Sequence, residues 1–220
     1  GLVARFNGMG ATWPDRLAAA LAYDDLQTAP LSEAPQSKYV RLERRRTTIL
    51  SDVGGPPPLE FSGKAHAGCL SFEMSVGAYP LLVNCGAPGP SDQDWLAMAR
   101  STAAHSTITI NDKSSSQLVK RPQLEARIGA PPISGPGRVG CRLGSGDDGS
   151  ALLRAFHDGY NDRFGYMHER SLRLGPIGNV LEGVDKLVRL RHGPSANRAQ
   201  PLAYSLHFHI HPRAKVRRTA

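Results

Sequence analysis

Two histidines and an asparagine, His66, His105 and Asn84, stand at the ends of segments that read as neighbouring strands. His66 precedes the strand pattern Leu70 to Val76. A tight turn at Gly77-Ala78 reverses it, a second strand from Tyr79 to Val83 ends at Asn84, and His105 stands just before a third. Polar groups at the mouths of adjacent antiparallel strands are how such a sheet builds a site. Imidazoles there can hold a metal ion or fix a loop by hydrogen bonds. Lys64 can neutralise a carboxylate or, with its pKa lowered by burial, act as a base; a surface lysine is the plain alternative. His207, His209 and His211 follow one another at i, i+2 and i+4. On a strand that spacing puts three imidazoles on one face, where they can hold a transition metal. Leu206, Phe208 and Ile210 alternate with them, so the solvent face of an amphipathic strand is the preferred reading.

The elements that must position these residues are mostly strands. Tyr39 to Leu42 and Thr47 to Asp52 read as a hairpin with Glu43 to Arg46 at its turn, and Gly54-Gly55-Pro56-Pro57-Pro58 as an irregular loop. Arg100 to Thr107 is expected to begin the next strand, and Asn111 to Ser116 to form a turn cluster. Further strand signals lie at Ala151 to His157, Met167 to Leu174, Val180 to Leu187 and Leu202 to His211. Several short strands separated by turn signals argue for an antiparallel β-sandwich and against a βαβ fold. Before them, Trp13 to Leu26 carries apolar residues at helical spacing, with Thr12 as the expected N-cap and Pro14 and Asp15 in the first turn.

Composition sets the outer bounds. A chain of 220 residues, 40% hydrophobic, holds one large all-β domain or one to two ordinary ones. Three cysteines, Cys69, Cys85 and Cys141, cannot close a set of disulfides; Cys69 and Cys85 are placed to approach each other, and small buried thiols are the preferred reading. No apolar run is long enough to span a bilayer, and no secretory leader is visible. The net charge of +8 is uneven. After Asp185 no acidic residue occurs, while Lys186, Arg189, Arg191, Arg198, Arg213, Lys215, Arg217 and Arg218 are basic. Such a tail attracts polyanions, whether acidic glycan, nucleic acid or lipid surface, or is simply a solvated or packed face. Phosphate-loop, dinucleotide-binding, nucleophile-elbow and zincin motifs do not occur.

The block GKAHAGCLSFEMSVGAYPLLVNCGAP (63–88), followed by ARSTAAHSTITI, resembles the C-terminal domain of the heparinase II/III family of polysaccharide lyases. The family pattern is G-H-x-H-x-D, then L-S-F-E, a strand-end aspartate, and R-x-T-x-A-H-N-T. His66 fits the second histidine, Glu73 the L-S-F-E glutamate and His105 the last histidine. Lys64 stands in place of the first histidine, Gly68 in place of the first aspartate and Asn84 in place of the strand-end aspartate. The resemblance continues through Phe156 to Tyr160, His168 to Arg170 and Leu206 to Pro212, from about Phe6 onward.

The resemblance implies an all-β chain, an antiparallel β-sandwich with a short N-terminal helical segment. Residues 1–37 would be the remnant of a preceding helical toroid and 38–220 the sandwich, with the text a fragment of a longer protein. The whole protein would cleave an acidic, uronate-containing polysaccharide by β-elimination, which needs a carboxylate neutraliser, a base and an acid. Lys64 and His66 are the catalytic candidates, and Arg100, His157 and Tyr160 the substrate-binding ones. His157, Asp158 and Tyr160 face His168, Glu169 and Arg170 across a turn, where they either contact glycan or, through an Arg–Glu pair, lock the hairpin. His66, Asn84 and His105 match positions that bind zinc in family members with a metal, although a neutral amide is a weaker donor than a carboxylate. Acidic polysaccharide and the toroid domain are the expected partners, with no nucleic acid and no membrane, and a periplasmic home follows by resemblance. The alternative is a non-catalytic carbohydrate-binding or structural sandwich that has lost the site.

Overall fold

The computed structural model describes residues 4–10, 12–23, 29–87, 93–190 and 202–217. After helix α1 (Pro14–Ala22) come β1 (Glu33–Ala34), β2 (Tyr39–Arg44), β3 (Thr47–Asp52), β4 (Phe72–Val76) and β5 (Tyr79–Leu82), which hydrogen-bond in that order as one antiparallel sheet. Helix α2 (Gln93–Ala99), β6 (Ile108–Ile110), β7 (Gln117–Leu118), α3 (Pro122–Ile128) and β8 (Ile133–Ser134) form the middle of the chain. A second sheet of order β12-β11-β10-β9 follows, from β9 (Val139–Ser145), β10 (Ala151–Tyr160), β11 (Tyr166–Leu174) and β12 (Leu181–Arg189). The short helix α4 (Asn161–Phe164) caps the β10–β11 hairpin, and β13 (Tyr204–Leu206) pairs back onto β6.

The two large sheets are amphipathic at period two. In β2, Val40 and Leu42 are buried while Arg41 and Glu43 turn outward, and β11 alternates in the same way from His168 to Leu174. Val40, Leu42, Ile49 and Phe72 from one sheet, with Cys69 and Leu70 from the connection before β4, meet Ala151, Leu153, Ala155, Leu172 and Leu174 from the other. The molecule is therefore an antiparallel β-sandwich, held by burial of these inner faces at roughly 25 cal/mol per Å² of apolar surface. Gly77 turns β4 into β5 at φ 57°, where a Cβ would lie 2.8 Å from the Arg46 guanidinium of the neighbouring hairpin. The positive φ is what requires glycine there, since the Arg46 side chain can swing aside.

Some local expectations change. Arg100 to Thr107 is not extended: Arg100 follows α2, and Thr102–Ala104 is a 3₁₀ turn. Among the described residues the tail strand is Tyr204–Leu206; residues 207–211 then lie between Thr107, which takes the His207 N–H, and the β5 side, where Val83 donates to His209, His211 donates to Leu81 and Ile210 bridges Leu82. The helix is capped by Trp13 rather than Thr12, its Trp13 and Leu21 are exposed, and Leu26 lies outside the described residues. Cys69 sits in the core and Cys85 on the surface, and all three cysteines are free. Phe6 packs against Tyr39, and Glu33–Ala34 forms the edge strand. Of the basic tail, Arg191, Arg198 and Arg218 lie outside the described residues, while Arg213, Lys215 and Arg217 are exposed.

Candidate functional site

The connection from β3 to β4 is long enough to leave the sheet, and it carries Lys64 and His66. A 3₁₀ helix (Leu59–Lys64) begins it, and a buried guanidinium holds its end. Arg100 donates from Nε to the Ala65 carbonyl at 2.9 Å and from Nη2 to the Ser62 carbonyl at 3.1 Å. Its own carbonyl takes the Ala67 N–H, and Thr102 Oγ1 donates to the Ala67 carbonyl. Arg100, 2% exposed, therefore positions this loop through its guanidinium. Lys64 is exposed at the loop's surface.

His66 and His105 are buried side by side, with His66 Nδ1 3.2 Å from His105 Nε2 and the rings edge to face at 82°. The network fixes the tautomers. His105 Nδ1 must donate to the Ser101 carbonyl at 2.8 Å, so its Nε2 accepts the proton of His66 Nδ1. That leaves His66 Nε2 as a bare lone pair, buried and without a hydrogen-bond partner. Burial, reinforced by the neighbouring His105 and Arg100, lowers the His66 pKa to about 3, and burial lowers that of His105 to about 4. Both rings are neutral at physiological pH.

Asn84 is also buried. Its N–H donates to Glu73 Oε1 at 2.8 Å, while both its side-chain amide atoms lack a partner. Glu73 also accepts the Arg5 N–H, so this glutamate ties an N-terminal segment to the end of β5. The same segment covers the histidine loop. Asn7 Oδ1 accepts the His66 N–H, Asn7 Nδ2 donates to the Tyr39 hydroxyl at 2.8 Å, and Gly8 lies against His66 Nε2.

A second histidine pair lies within the other sheet. His157 Nδ1 accepts the Gly159 N–H, so His157 Nε2 donates to His168 Nδ1 at 3.2 Å and His168 Nε2 donates to Asp185 Oδ1 at 2.6 Å. Arg170, directly opposite Asp185 in the β11–β12 register, donates to both carboxylate oxygens and to the Leu70 and Ser106 carbonyls. Burial pushes the Asp185 carboxyl up, but His168 and Arg170 outweigh it and hold the carboxyl at about 2. Every ring nitrogen here has a partner.

The heparinase II/III-like, C-terminal family matches residues 26–220. The chain belongs to that family. FtsZ-localized protein C of Caulobacter vibrioides is 31% identical over 218 residues, which is 98% of this chain and 37% of that protein. A heparinase III gene product shares the fold at TM-score 0.64 and 13% identity, over 99% of this chain and 33% of that one. A heparan sulfate lyase HepC mutant from Pedobacter heparinus does so at TM-score 0.59 and 13% identity, over 86% of this chain and 30% of that one. The chain thus spans about a third of the length of the relatives it matches.

Within this heparinase-type domain the structure sorts the candidates. Lys64 and His66 share one loop, and His66 meets His105. Arg100, His157 and Tyr160, expected to touch substrate, are instead buried and occupied internally. The Tyr160 hydroxyl donates to the Ile108 carbonyl at 2.7 Å, and burial pushes its pKa up. Arg170 pairs with Asp185, not with Glu169. His207 contacts Thr109 Oγ1, His209 reaches the Ala103 carbonyl, and His211 accepts the Arg213 N–H, so the tail imidazoles have different polar partners, although the His207 and His209 rings stack 6.3 Å apart.

A metal meets an incomplete donor set. A 3.2 Å separation is close to that of two imidazoles on one tetrahedral zinc. However, no group of three His, Cys, Asp or Glu that could hold an ion occurs among the described residues. The position of the family's first aspartate offers no room either, because a Cβ at Gly68 would lie 2.8 Å from His105 Cδ2. Two imidazoles and a neutral Asn84 do not fit a closed zinc site, and no chemical step is assigned to one. Sequence reasoning missed the Asp185–Arg170–His168 network. The only available signal was Asp185 itself, the last acidic residue before a basic tail.

Proposed function

We propose that this chain is the β-domain of a carbon–oxygen lyase that cleaves an acidic, uronate-containing polysaccharide by β-elimination. One observation carries the reading. On a single loop clamped by Arg100, the exposed cation of Lys64 stands two residues from a neutral imidazole whose Nε2 has no partner. A cation suits the uronate carboxylate, while His66 Nε2, sealed under the Asn7–Gly8 segment, stiffens the loop from inside rather than meeting the sugar. With a pKa of about 3, His66 is too weak a base to take the C5 proton near neutral pH. In this reading the loop binds and orients the glycan, a preceding toroid domain supplies the acid and the base, and this chain alone is inactive. The test is an ultraviolet assay for unsaturated uronate, run on the chain and on its full-length parent with heparan sulfate, chondroitin and alginate. Product from the parent alone supports the proposal; no product from a folded parent on any glycan removes it.

A second reading rests on the 31% identity, across nearly the whole chain, with a protein named for its location with FtsZ. Here the sandwich is a non-catalytic binding or structural module that joins an FtsZ assembly. Co-sedimentation of the full-length parent with FtsZ polymers supports this reading, and a parent that stays in the supernatant while releasing unsaturated uronate rejects it.

A further inference from the structure

A cleft of about 660 Å³ runs beside β5, between that strand and residues 208–212, and holds a pair of side chains that the lyase reading does not use. Cys85, exposed at its mouth, points Sγ at His209 Nδ1 across 3.7 Å. His209 is in turn held by Nε2, which must donate to the Ala103 carbonyl at 2.8 Å, and by its main-chain N–H on Ser106 Oγ. With the proton fixed on Nε2, Nδ1 presents a lone pair to the thiol. A nucleophile in reach of a base that a third group orients is the arrangement that activates a thiol. Asn84 lines the same cleft, 2% exposed and with both amide atoms unpartnered, an unsatisfied polar side chain next to the thiol. Leu82, Phe208 and Trp95 supply apolar walls.

We propose that Cys85 and His209 form a reactive-thiol site that takes small disulfides as covalent ligands. Cys85 Sγ attacks one sulfur of the disulfide as its proton passes to His209 Nδ1. A new S–S bond forms, the old one breaks, and its electron pair leaves on the departing sulfur, which then takes the proton from His209. Cys85 is oxidised by the half of the disulfide that is reduced, so the exchange needs no other oxidant. Partial burial raises the Cys85 thiol, so proton transfer to His209 accompanies attack. Cys141 is the internal control, because burial also raises its thiol and no imidazole contact to it is seen among the described residues. Cys69, in the core, reports unfolding.

The experiment treats the full chain with oxidised glutathione and follows each cysteine by peptide mass mapping. Cys85 should form its mixed disulfide about tenfold faster than Cys141 or more, with Cys69 unmodified. His209→Gln should bring Cys85 down to the Cys141 rate while Cys141 stays unchanged, and Cys85→Ser should abolish the fast adduct. Equal rates at Cys85 and Cys141 in the unmodified chain overturn the proposal, as does a His209→Gln rate equal to the parent's. If Cys69 labelling shows that the variant has unfolded, the ratio in the unmodified chain decides.

Discussion

The two buried histidine pairs are nearly superimposable as local geometry and opposite in how they end. His66–His105 and His157–His168 have the same 3.2 Å N···N contact, and their rings meet at 82° and 83°. The second pair runs from a main-chain N–H to a carboxylate that is itself bound twice by Arg170, so no polar atom is left over. The first begins at a bare nitrogen, on a loop that also exposes Lys64, and ends on a carbonyl. A closed network satisfies every polar atom, whereas an open one keeps a buried nitrogen unsatisfied at a cost in stability.

The largest way to break this comparison is at Asp185. Asp185→Asn leaves the Arg170 guanidinium buried without its counter-charge and should cost about 3–5 kcal/mol, read from the urea midpoint. Truncation should separate the pairs next. His157→Ala opens a satisfied core network and should cost about 3 kcal/mol, whereas His66→Ala removes one ring–ring bond and should cost about 1 kcal/mol, both by urea denaturation.

Acid should act on both pairs, with a sign fixed by the lowered pKa values. Folding lowers the imidazole pKa values, so below about pH 6.5 the unfolded chain binds more protons than the folded one. Stability is full above that pH and falls as pH drops toward about 4 for His105 and about 3 for His66, by at most about 1.4 kcal/mol per pH unit for each ring. Asp52 opposes this. Burial raises its carboxyl to about 7, so between pH 7 and its ordinary value near 3.8 folding is favoured by acid. Glu73, also raised by burial, acts in the same direction as Asp52; two carboxyls against four imidazoles leave a net loss, measurable as the thermal midpoint from pH 7 to 4. The smallest effect on stability should come at Lys64: Lys64→Ala should stay within about 0.5 kcal/mol while weakening retention of the full-length parent on immobilised heparan sulfate.

The sandwich was legible because period-two burial is written directly into segments such as Tyr39–Arg44 and Met167–Leu174, and the turn at Gly77 into its glycine. The loop with Lys64 and His66, and its meeting with His105, was legible through the family motif. The roles of Arg100, His157 and Tyr160 were not, because a polar residue in a strand or turn reads as exposed until its partners are known. Those partners are main-chain carbonyls and residues far along the chain, such as Ser62 and Ala65 for Arg100 or Ile108 for Tyr160, and no spacing rule carries them. Likewise the tail imidazoles alternate as on a strand, and His207 and His209 do stack, yet Tyr204–Leu206 is the only tail strand among the described residues and three different neighbours take their polar atoms.

The open-versus-closed distinction is tested most directly by long-range ¹H–¹⁵N imidazole spectra at pH 7, repeated down to pH 5. The account predicts a neutral His66 with its proton on Nδ1 and an unprotonated Nε2, beside a neutral His157 with its proton on Nε2, both unchanged at pH 5. A proton on His66 Nε2, or an imidazolium there by pH 5, would show that the first pair is closed by a partner after all and would contradict the account.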